Sequence, residues 1–284
     1  MMRNRLILTA ALALLAGAGC GEDRGPMAPQ ASMAPSRLGS GSPDGRDVTG
    51  TGIVTVVHGV PGLVVDVYVN GALTLPSFAP GTVTDPLTLP EGNYDIAILP
   101  AGGTYPGDAV ITGSAFLPSG ANASIVAHLA ENGTPTLTTF VNDVSSIHGI
   151  NSRVVVRHVA EAPTVDVRLF RKRLPWLPVR TIQGLSNPNE AQTQVFPGWF
   201  RAKLYPAGSQ TVVFTSPYLA LRPRESTIVY AIGSLSGGTF GLLVQKIPLQ
   251  CSEAFGGSTA EISADLAPDA YDAIAAEKKL DANE

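Results

Sequence analysis

The strongest constraint on the fold of this chain is an internal repeat. IVTVVHGVPGLVVDVYV at 53–69 aligns without a gap with RVVVRHVAEAPTVDVRL at 153–169. LPEGNYDIAILPAG (89–102) aligns with VFPGWFRAKLYPAG (195–208) after a longer insert in the second copy. Repeats this far apart are complete domains, because the units of solenoid proteins span only about 20–50 residues. The sequence therefore predicts two copies of one domain in tandem.

Each copy has the pattern of an all-β domain. Short runs rich in Val, Ile, Thr, Tyr and Phe are separated by Gly, Pro and Asn. The predicted strands of the first copy are 53–58, 64–69, 83–89, 93–99, 109–117, 123–130 and 136–142. Those of the second copy are 153–159, 164–170, 192–196, 199–205, 211–218, 226–232 and 239–246. About seven strands in about 100 residues predict an immunoglobulin-like β-sandwich in each copy.

Asn70-Gly71 is the strongest turn signal in the chain. Both residue types accept the positive φ of a type I′ turn, so the pair predicts a two-residue hairpin. The second copy has FRKRLPWLP (170–178) at this place, and its hairpin must differ.

The same segment of the second copy is a candidate binding surface. Arg171, Lys172 and Arg173 precede Trp176 in a basic stretch bounded by prolines, which we interpret as a loop. A tryptophan beside arginine is suited to stacking on a sugar or to lying at a membrane surface. Trp199 follows a Pro-Gly corner and is expected in the core.

A histidine and an aspartate lie eight residues apart in both copies, as His58 with Asp66 and His158 with Asp166. A catalytic dyad needs its two groups within about 2.6–3.2 Å. On regular strands the two side chains point to opposite sides of the sheet, with the histidine inward and the aspartate outward. We therefore expect a structural role, in which each histidine satisfies backbone groups of the turn that follows it.

The inward position of His158 follows from the strand that it ends. Val154, Val156 and His158 share one face, and Arg153 and Arg157 share the other. Arginines are rarely buried, so we expect both to face solvent.

Other chemistries have no sequence support. The chain contains no H-E-x-x-H, no P-loop and no G-x-S-x-G. Asp85, Glu91, Asp95 and Asp108 lack the spacing of a calcium loop. We predict a non-catalytic binding, adhesion or structural module without metal or cofactor. The alternative is a hydrolase that acts on envelope glycan or peptide through acidic residues of the first copy.

The N-terminus, MMRNRLILTAALALLAGAGC, predicts export. A basic start, a short apolar run and small residues form a signal peptide over 1–20. The small residues and Cys20, which directly follows them, resemble the lipobox of bacterial lipoproteins. This resemblance implies that Cys20 is acylated, palmitate being a typical acyl group, and that the acyl chains hold the protein at the membrane. The alternative is ordinary secretion. With Cys20 lipidated, Cys251 has no partner for an internal disulfide.

Two further segments flank the repeats. Residues 21–50 are rich in Gly, Pro and Ser without apolar periodicity, which predicts a disordered tether. Residues 251–284 form an acidic tail in which APDAYDAIAAEKKLDANE predicts a short helix.

Charge separates the two copies. Residues 51–150 contain seven acidic residues and no Lys or Arg, whereas 151–250 contain twelve basic and four acidic residues. The tail from Cys251 has eight acidic and two basic residues. Opposite fields of this size steer association. We predict that the second copy docks on the first copy or the tail, or head-to-tail between molecules, with Arg171–Arg173 as the contact. The alternative is an anionic lipid or polymer; no nucleic-acid partner is expected.

The repeated motif also resembles a known family. The first copy reads H-x-x-P-x-x-x-x-DVYVNG from His58 to Gly71, then LPxGxY and PAG; the second keeps His158, Asp166 and PAG. This combination is similar to DUF4397, a bacterial envelope family of unknown activity. The resemblance implies sandwiches at 51–146 and 151–250 and a place in the cell envelope, at the outer membrane or cell surface.

Overall fold

The computed structural model describes residues 50–249, which form strands and loops. The predicted signal peptide, tether and C-terminal helix, with Cys20 and Cys251, lie outside these residues. No helix in the described range is long and apolar enough to cross a bilayer. The strands are β1 Thr51–His58, β2 Val65–Val69, β3 Ala72–Phe78, β4 Thr82–Val83, β5 Leu87–Pro90, β6 Gly92–Pro100, β7 Ile111–Leu117, β8 Asn122–Leu129, β9 Pro135–Val141, β10 Ser152–His158, β11 Val165–Arg171, β12 Leu174–Leu185, β13 Glu190–Val195, β14 Gly198–Pro206, β15 Phe214–Thr215, β16 Leu219–Leu221, β17 Glu225–Ile232 and β18 Gly241–Pro248.

Strands β1–β9 form the first sandwich. One sheet has the order β4-β1-β8-β9, with β5 also paired to β1, and the other has the order β3-β2-β6-β7. β1 and β8 run parallel, and the remaining pairs are antiparallel. Apolar side chains at alternate strand positions, such as Val65, Val67, Ile96 and Ile98, meet between the two sheets and form the core.

Strands β10–β18 form a second sandwich with the same plan. Its sheets have the orders β13-β10-β17-β18 and β12-β11-β14-β15, with β16 also paired to β14. β10 and β17 are again parallel. Val165, Val167, Leu204 and Val154 belong to its separate core. The predicted fold class, all-β with immunoglobulin-like sandwiches, is confirmed.

Three strands were not predicted: β3, β12 and the three-residue β16. β3 and β12 are the edge strands that follow the hairpins, and their side chains are mostly exposed. The segment with Trp176, interpreted as a loop, lies in the twelve-residue β12. Its prolines argued against a strand, but an edge strand tolerates proline because one side of its backbone needs no partner. The prediction of a loop was therefore wrong.

The two sandwiches pack through the outer faces of the sheets that contain β1 and β10. Val57, Val126 and Phe140 of the first sandwich form one buried cluster with residues of the second: Val155, Val159, Ile228, Tyr230 and Ile232. An apolar cluster of this kind is typical of a fixed contact between domains.

Arg153 and Arg157 lie in this interface, and the prediction that both face solvent was wrong. Arg157 is 1% exposed. Its guanidinium donates to Glu190 at 2.7 Å, to Tyr230 Oη at 2.9 Å and to Asn142 Oδ1 at 2.8 Å, and it stacks over Phe140. Arg153 contacts Asp143 and Ser145 in the segment between β9 and β10. The outer face of β10 is covered by the first sandwich, so these arginines are buried with partners.

Further polar groups cross the same interface. Gln245 of β18 donates to Thr55 Oγ1 at 3.1 Å and accepts from Ser124 at 3.0 Å and from Tyr230 at 2.5 Å. Ser124 in turn contacts Asn142 at 3.2 Å. Buried polar groups stabilise a contact only when they are paired, and such pairing fixes one orientation of the two surfaces.

Candidate functional site

Each histidine of the repeated pair binds the backbone of the next turn. His58 Nε2 lies 2.8 Å from Leu63 O, and His158 Nε2 lies 3.0 Å from Pro163 O. Both rings are about 1% exposed. These are contacts of the kind that the sequence assigned to them. His58 Nδ1 has no hydrogen-bond partner among the described residues.

Burial controls the protonation of these rings. Desolvation lowers the pKa of His58 and of His158, and the carbonyl bonds act in the opposite direction. The pKa of His128, which contacts Leu129 O and Thr138 Oγ1, is also lowered by burial. A neutral ring donates one hydrogen from the nitrogen that faces a carbonyl. All three rings therefore act as neutral donors.

The aspartates join the two backbone segments beside them. Asp66 accepts from Ser77 N at 2.7 Å and from Gly102 N at 2.8 Å, and these two bonds lower the pKa of its carboxyl. Asp166 accepts in the same way from Gly184 N at 2.9 Å and from Gly208 N at 3.1 Å. Both aspartates lie on the outer side of their strands, as alternation predicted, but each is only 7% exposed.

The N–H groups that bind the aspartates explain why the motif includes Pro-Ala-Gly, because its glycine supplies one of them in each copy. Gly102 and Gly208, the last residues of PAG, have φ of +81° and +74°. Ser77 and Gly184 also have positive φ, and they lie where β3 and β12 bulge opposite the aspartate. Each carboxylate thus holds a β-bulge and a turn together, since bulges leave backbone donors unpaired.

The described residues form no histidine–aspartate contact. Within residues 50–249 no hydrogen bond or ion pair joins a histidine to an aspartate. The same range holds no group of three or more His, Cys, Asp or Glu side chains placed to bind a metal.

The turns that follow the aspartate strands differ in the expected way. Asn70 and Gly71 have φ of +49° and +79°, as in a type I′ turn. Asn70 also ties the hairpin to β6, because its side chain accepts from Asp95 N at 2.8 Å. In the second sandwich the turn residues are Lys172 and Arg173, and neither has a positive φ.

The predicted basic cluster lies around this second turn. Arg171 donates to Pro197 O at 2.7 Å, and Lys172 lies over the ring of Trp199 at 5.7 Å. Arg173 and Trp176 are exposed, Trp176 by 73%. Trp199 is 50% exposed on the outer face of β14, so its predicted core position was wrong.

Sequence reasoning did not connect this cluster with three further cations beside it. Arg168 of β11 and Lys203 of β14 are register partners, and Arg201 is two residues from Lys203 on the same face. Alternation with Leu169, Ala202 and Leu204 in the core was the signal that could have placed them.

The first sandwich contains an apolar cavity of about 180 Å³, whereas the corresponding space in the second measures about 30 Å³. Thr74 and Leu75 of β3 and Leu87 and Leu89 of β5 line the larger cavity on one side. In the second sandwich, Val179 and Ile182 of the longer β12 pack against the core. No residue of β12 lines the smaller space, whereas Thr74 and Leu75 of β3 line the larger one.

Fold and site together define an all-β protein of two sandwiches that share a histidine, an aspartate and glycine turns. Residues 52–168 match the model of DUF4397, a domain of unknown function. The match begins in β1 and ends in β11, so it spans the first sandwich and the start of the second.

Comparison with solved structures gives distant similarities. The Bacillus anthracis TIE protein is 11% identical over 63% of this chain and 35% of its own, with a TM-score of 0.21. A candidate cell adhesion protein from Bacteroides ovatus is 10% identical over 72% and 99%, with a TM-score of 0.25. Another from Bacteroides fragilis is 13% identical over 78% and 95%, with a TM-score of 0.19. A search of curated proteins found no match.

Proposed function

We propose that this chain is an exported, non-catalytic protein of the bacterial cell envelope that binds other envelope components. In this proposal 1–20 is a lipoprotein signal peptide, Cys20 carries the acyl anchor, and 21–50 is the tether. Residues 51–146 and 151–250 are two DUF4397-like domains. The segment Arg171–Arg173 with Trp176 is part of the binding surface.

The structural use of the repeated His–Asp pair carries the non-catalytic part of the proposal. His58 and His158 bind carbonyls, and Asp66 and Asp166 each accept two backbone N–H groups. A general base needs a free lone pair within reach of its substrate. The same geometry in both copies supports a motif that maintains the fold.

The buried interface supports a binding module. The cation of Arg157 crosses from the second sandwich to Asn142 and Phe140 of the first. Two domains held in one orientation present their outer faces at a fixed relative position, which lowers the entropy lost when both engage one extended partner.

Anchoring can be tested by fractionation in the native host. Cys20→Ser removes the acyl acceptor, so the variant should move from the membrane to the soluble fraction, because acyl chains rather than a spanning helix provide retention. Cys251→Ser is the matched control and should stay with the membrane. If the Cys20→Ser protein remains there after a salt wash, the anchor is wrong.

A further inference from the structure

The outer face of the sheet β12-β11-β14-β15 presents a line of positive charge. We define the cationic row as Arg168, Lys203, Arg201 and Lys172. Arg168 and Lys203 are opposite one another on β11 and β14. Arg201 follows at two residues along β14, a distance of about 6.5–7 Å. Lys172 and Arg201 both lie over Tyr218, at 5.8 and 5.0 Å from the ring.

Aromatic rings hold these cations in place. Arg168 lies 4.2 Å from the centre of the Tyr205 ring, and Lys203 lies 4.8 Å from that of Phe170. Tyr205 and Phe170 are buried, while the cations above them remain partly exposed. Cation–π contacts of this kind restrict the side chains before a ligand arrives, so less entropy is lost on binding.

No carboxylate within the described residues neutralises the row. Asp166 is the only acidic residue on the strands of this sheet. Both of its oxygens already accept backbone N–H groups. The three ion pairs between described side chains involve Arg153, Arg157 and Lys246, none of which belongs to the row.

The row is unfavourable for the fold itself. Like charges at directly opposite positions of two antiparallel strands destabilise the pair. The first sandwich avoids this arrangement, because the same register positions hold Tyr68, Ala97 and Asp95. Only the second sandwich contains this destabilising pair of like charges, which indicates that a ligand compensates for the repulsion.

We propose that the cationic row binds an acidic polysaccharide, a chain of sugars that carries carboxylates at regular intervals. The proposal rests on the envelope-binding role above and names its partner. A line of cations matches a line of carboxylates, and charge complementarity steers the association. Trp199 lies on the same face of β14, two residues from Arg201, and half of it is exposed. Its ring offers a flat surface on which a sugar can stack.

Binding of the purified full chain to polygalacturonate tests the proposal, with dextran as the neutral polymer and polyglutamate as the acidic polymer without sugars. The row variant is Arg168→Gln, Arg201→Gln and Lys203→Gln. The control variant is Arg222→Gln, Arg224→Gln and Lys246→Gln, which removes the same charge outside the strands of this sheet. Thermal melting of both variants shows whether each is folded, and Lys203→Gln alone serves if the row variant is not.

We expect salt-sensitive binding to polygalacturonate and none to dextran. The row variant should bind about tenfold more weakly, whereas the control should differ by about twofold or less. Trp199→Ala should weaken binding to polygalacturonate but not to polyglutamate.

Equal losses in the row and control variants would overturn the site and leave the anchored, non-catalytic role intact. If Trp199→Ala weakens binding to polygalacturonate and to polyglutamate equally, the assignment of the ligand as a polysaccharide is wrong. If the chain self-associates and only the row variant abolishes this self-association, the cationic row binds the acidic surface of a second copy, and the polysaccharide proposal is wrong.

Discussion

The two sandwiches share a strand arrangement and a set of structural hydrogen bonds, and they differ in charge. Both place a histidine under a turn, an aspartate between a bulge and a glycine, and a parallel strand pair at the centre of one sheet. Yet 51–150 contains no Lys or Arg, and 151–250 contains twelve. Positions that maintain the fold were kept within the molecule, and positions on the outer faces diverged. Binding is therefore expected to reside in those divergent faces.

The largest expected effect concerns the interface that joins the two sandwiches. Arg157→Met removes a buried cation, so Glu190 and Tyr230 Oη lose their donor, and Asn142 Oδ1 keeps, among the described residues, only that of Ser124. Glu190 is exposed and water can solvate it, so the loss comes mainly from the hydrogen bonds of the guanidinium to the buried Tyr230 and Asn142, about 2–3 kcal/mol in the free energy of unfolding. Urea denaturation would measure the loss.

Arg180→Met is the matched control for this variant, because Arg180 is exposed and, among the described residues, its side chain bonds only to Val179 O. Its effect should stay within about 0.5 kcal/mol. Similar stabilities of the two variants would show that the sandwiches are not held together by Arg157.

The sequence predicted the skeleton better than the surfaces. Most strands, and the inward position of His58, follow from the alternation of apolar and polar residues. Each strand carries this alternation in its own sequence. Arg153 and Arg157 could not be placed, since their burial depends on a second domain that covers the face. Trp199 was expected in the core because it is an aromatic residue beside the Pro-Gly corner. The aromatic residue that faces the core at this corner is its neighbour, Phe200.

The next effect compares the two histidines. His58→Ala and His158→Ala should each lower the free energy of unfolding by about 1–3 kcal/mol, because a buried carbonyl loses its donor. Similar losses would show that the motif does the same work in both copies. Metal analysis of the purified proteins should show no change.

His148→Ala supplies the baseline for both variants, since His148 is exposed. We expect a change within about 0.5 kcal/mol. Stoichiometric metal that is lost in either the His58 or the His158 variant would refute the structural role.

A third comparison concerns how well each core is filled. Ala123 lines the cavity of about 180 Å³ in the first sandwich, and Ala231 lines the space of about 30 Å³ in the second. Ala123→Val should stabilise the protein by about 1 kcal/mol as the added methyl groups are buried. Ala231→Val should destabilise it by about 1–3 kcal/mol through overpacking. Melting curves that shift in the same direction would contradict the difference between the cores.

The smallest effect is the share of each buried histidine in the pH dependence of stability. Burial lowers the pKa of His58, His128 and His158, so below about pH 6.5 the unfolded chain binds more protons than the folded one. The free energy of unfolding must therefore fall as the solution is acidified. At about pH 5.5 each ring accounts for at most about 1.4 kcal/mol of the fall.

The second sandwich differs here because the charge of Glu131, in the first, acts to raise the pKa of His158 against the effect of burial. Glu131→Gln should lower this pKa further and enlarge the fall in stability between about pH 7.5 and about pH 5.5. His148→Gln is the control, because His148 is exposed and lies outside these buried contacts. Urea titrations at the two pH values would measure these differences. If Glu131→Gln reduces the fall, the two sandwiches are not coupled through this carboxylate, and the pKa of His158 is determined within its own sandwich.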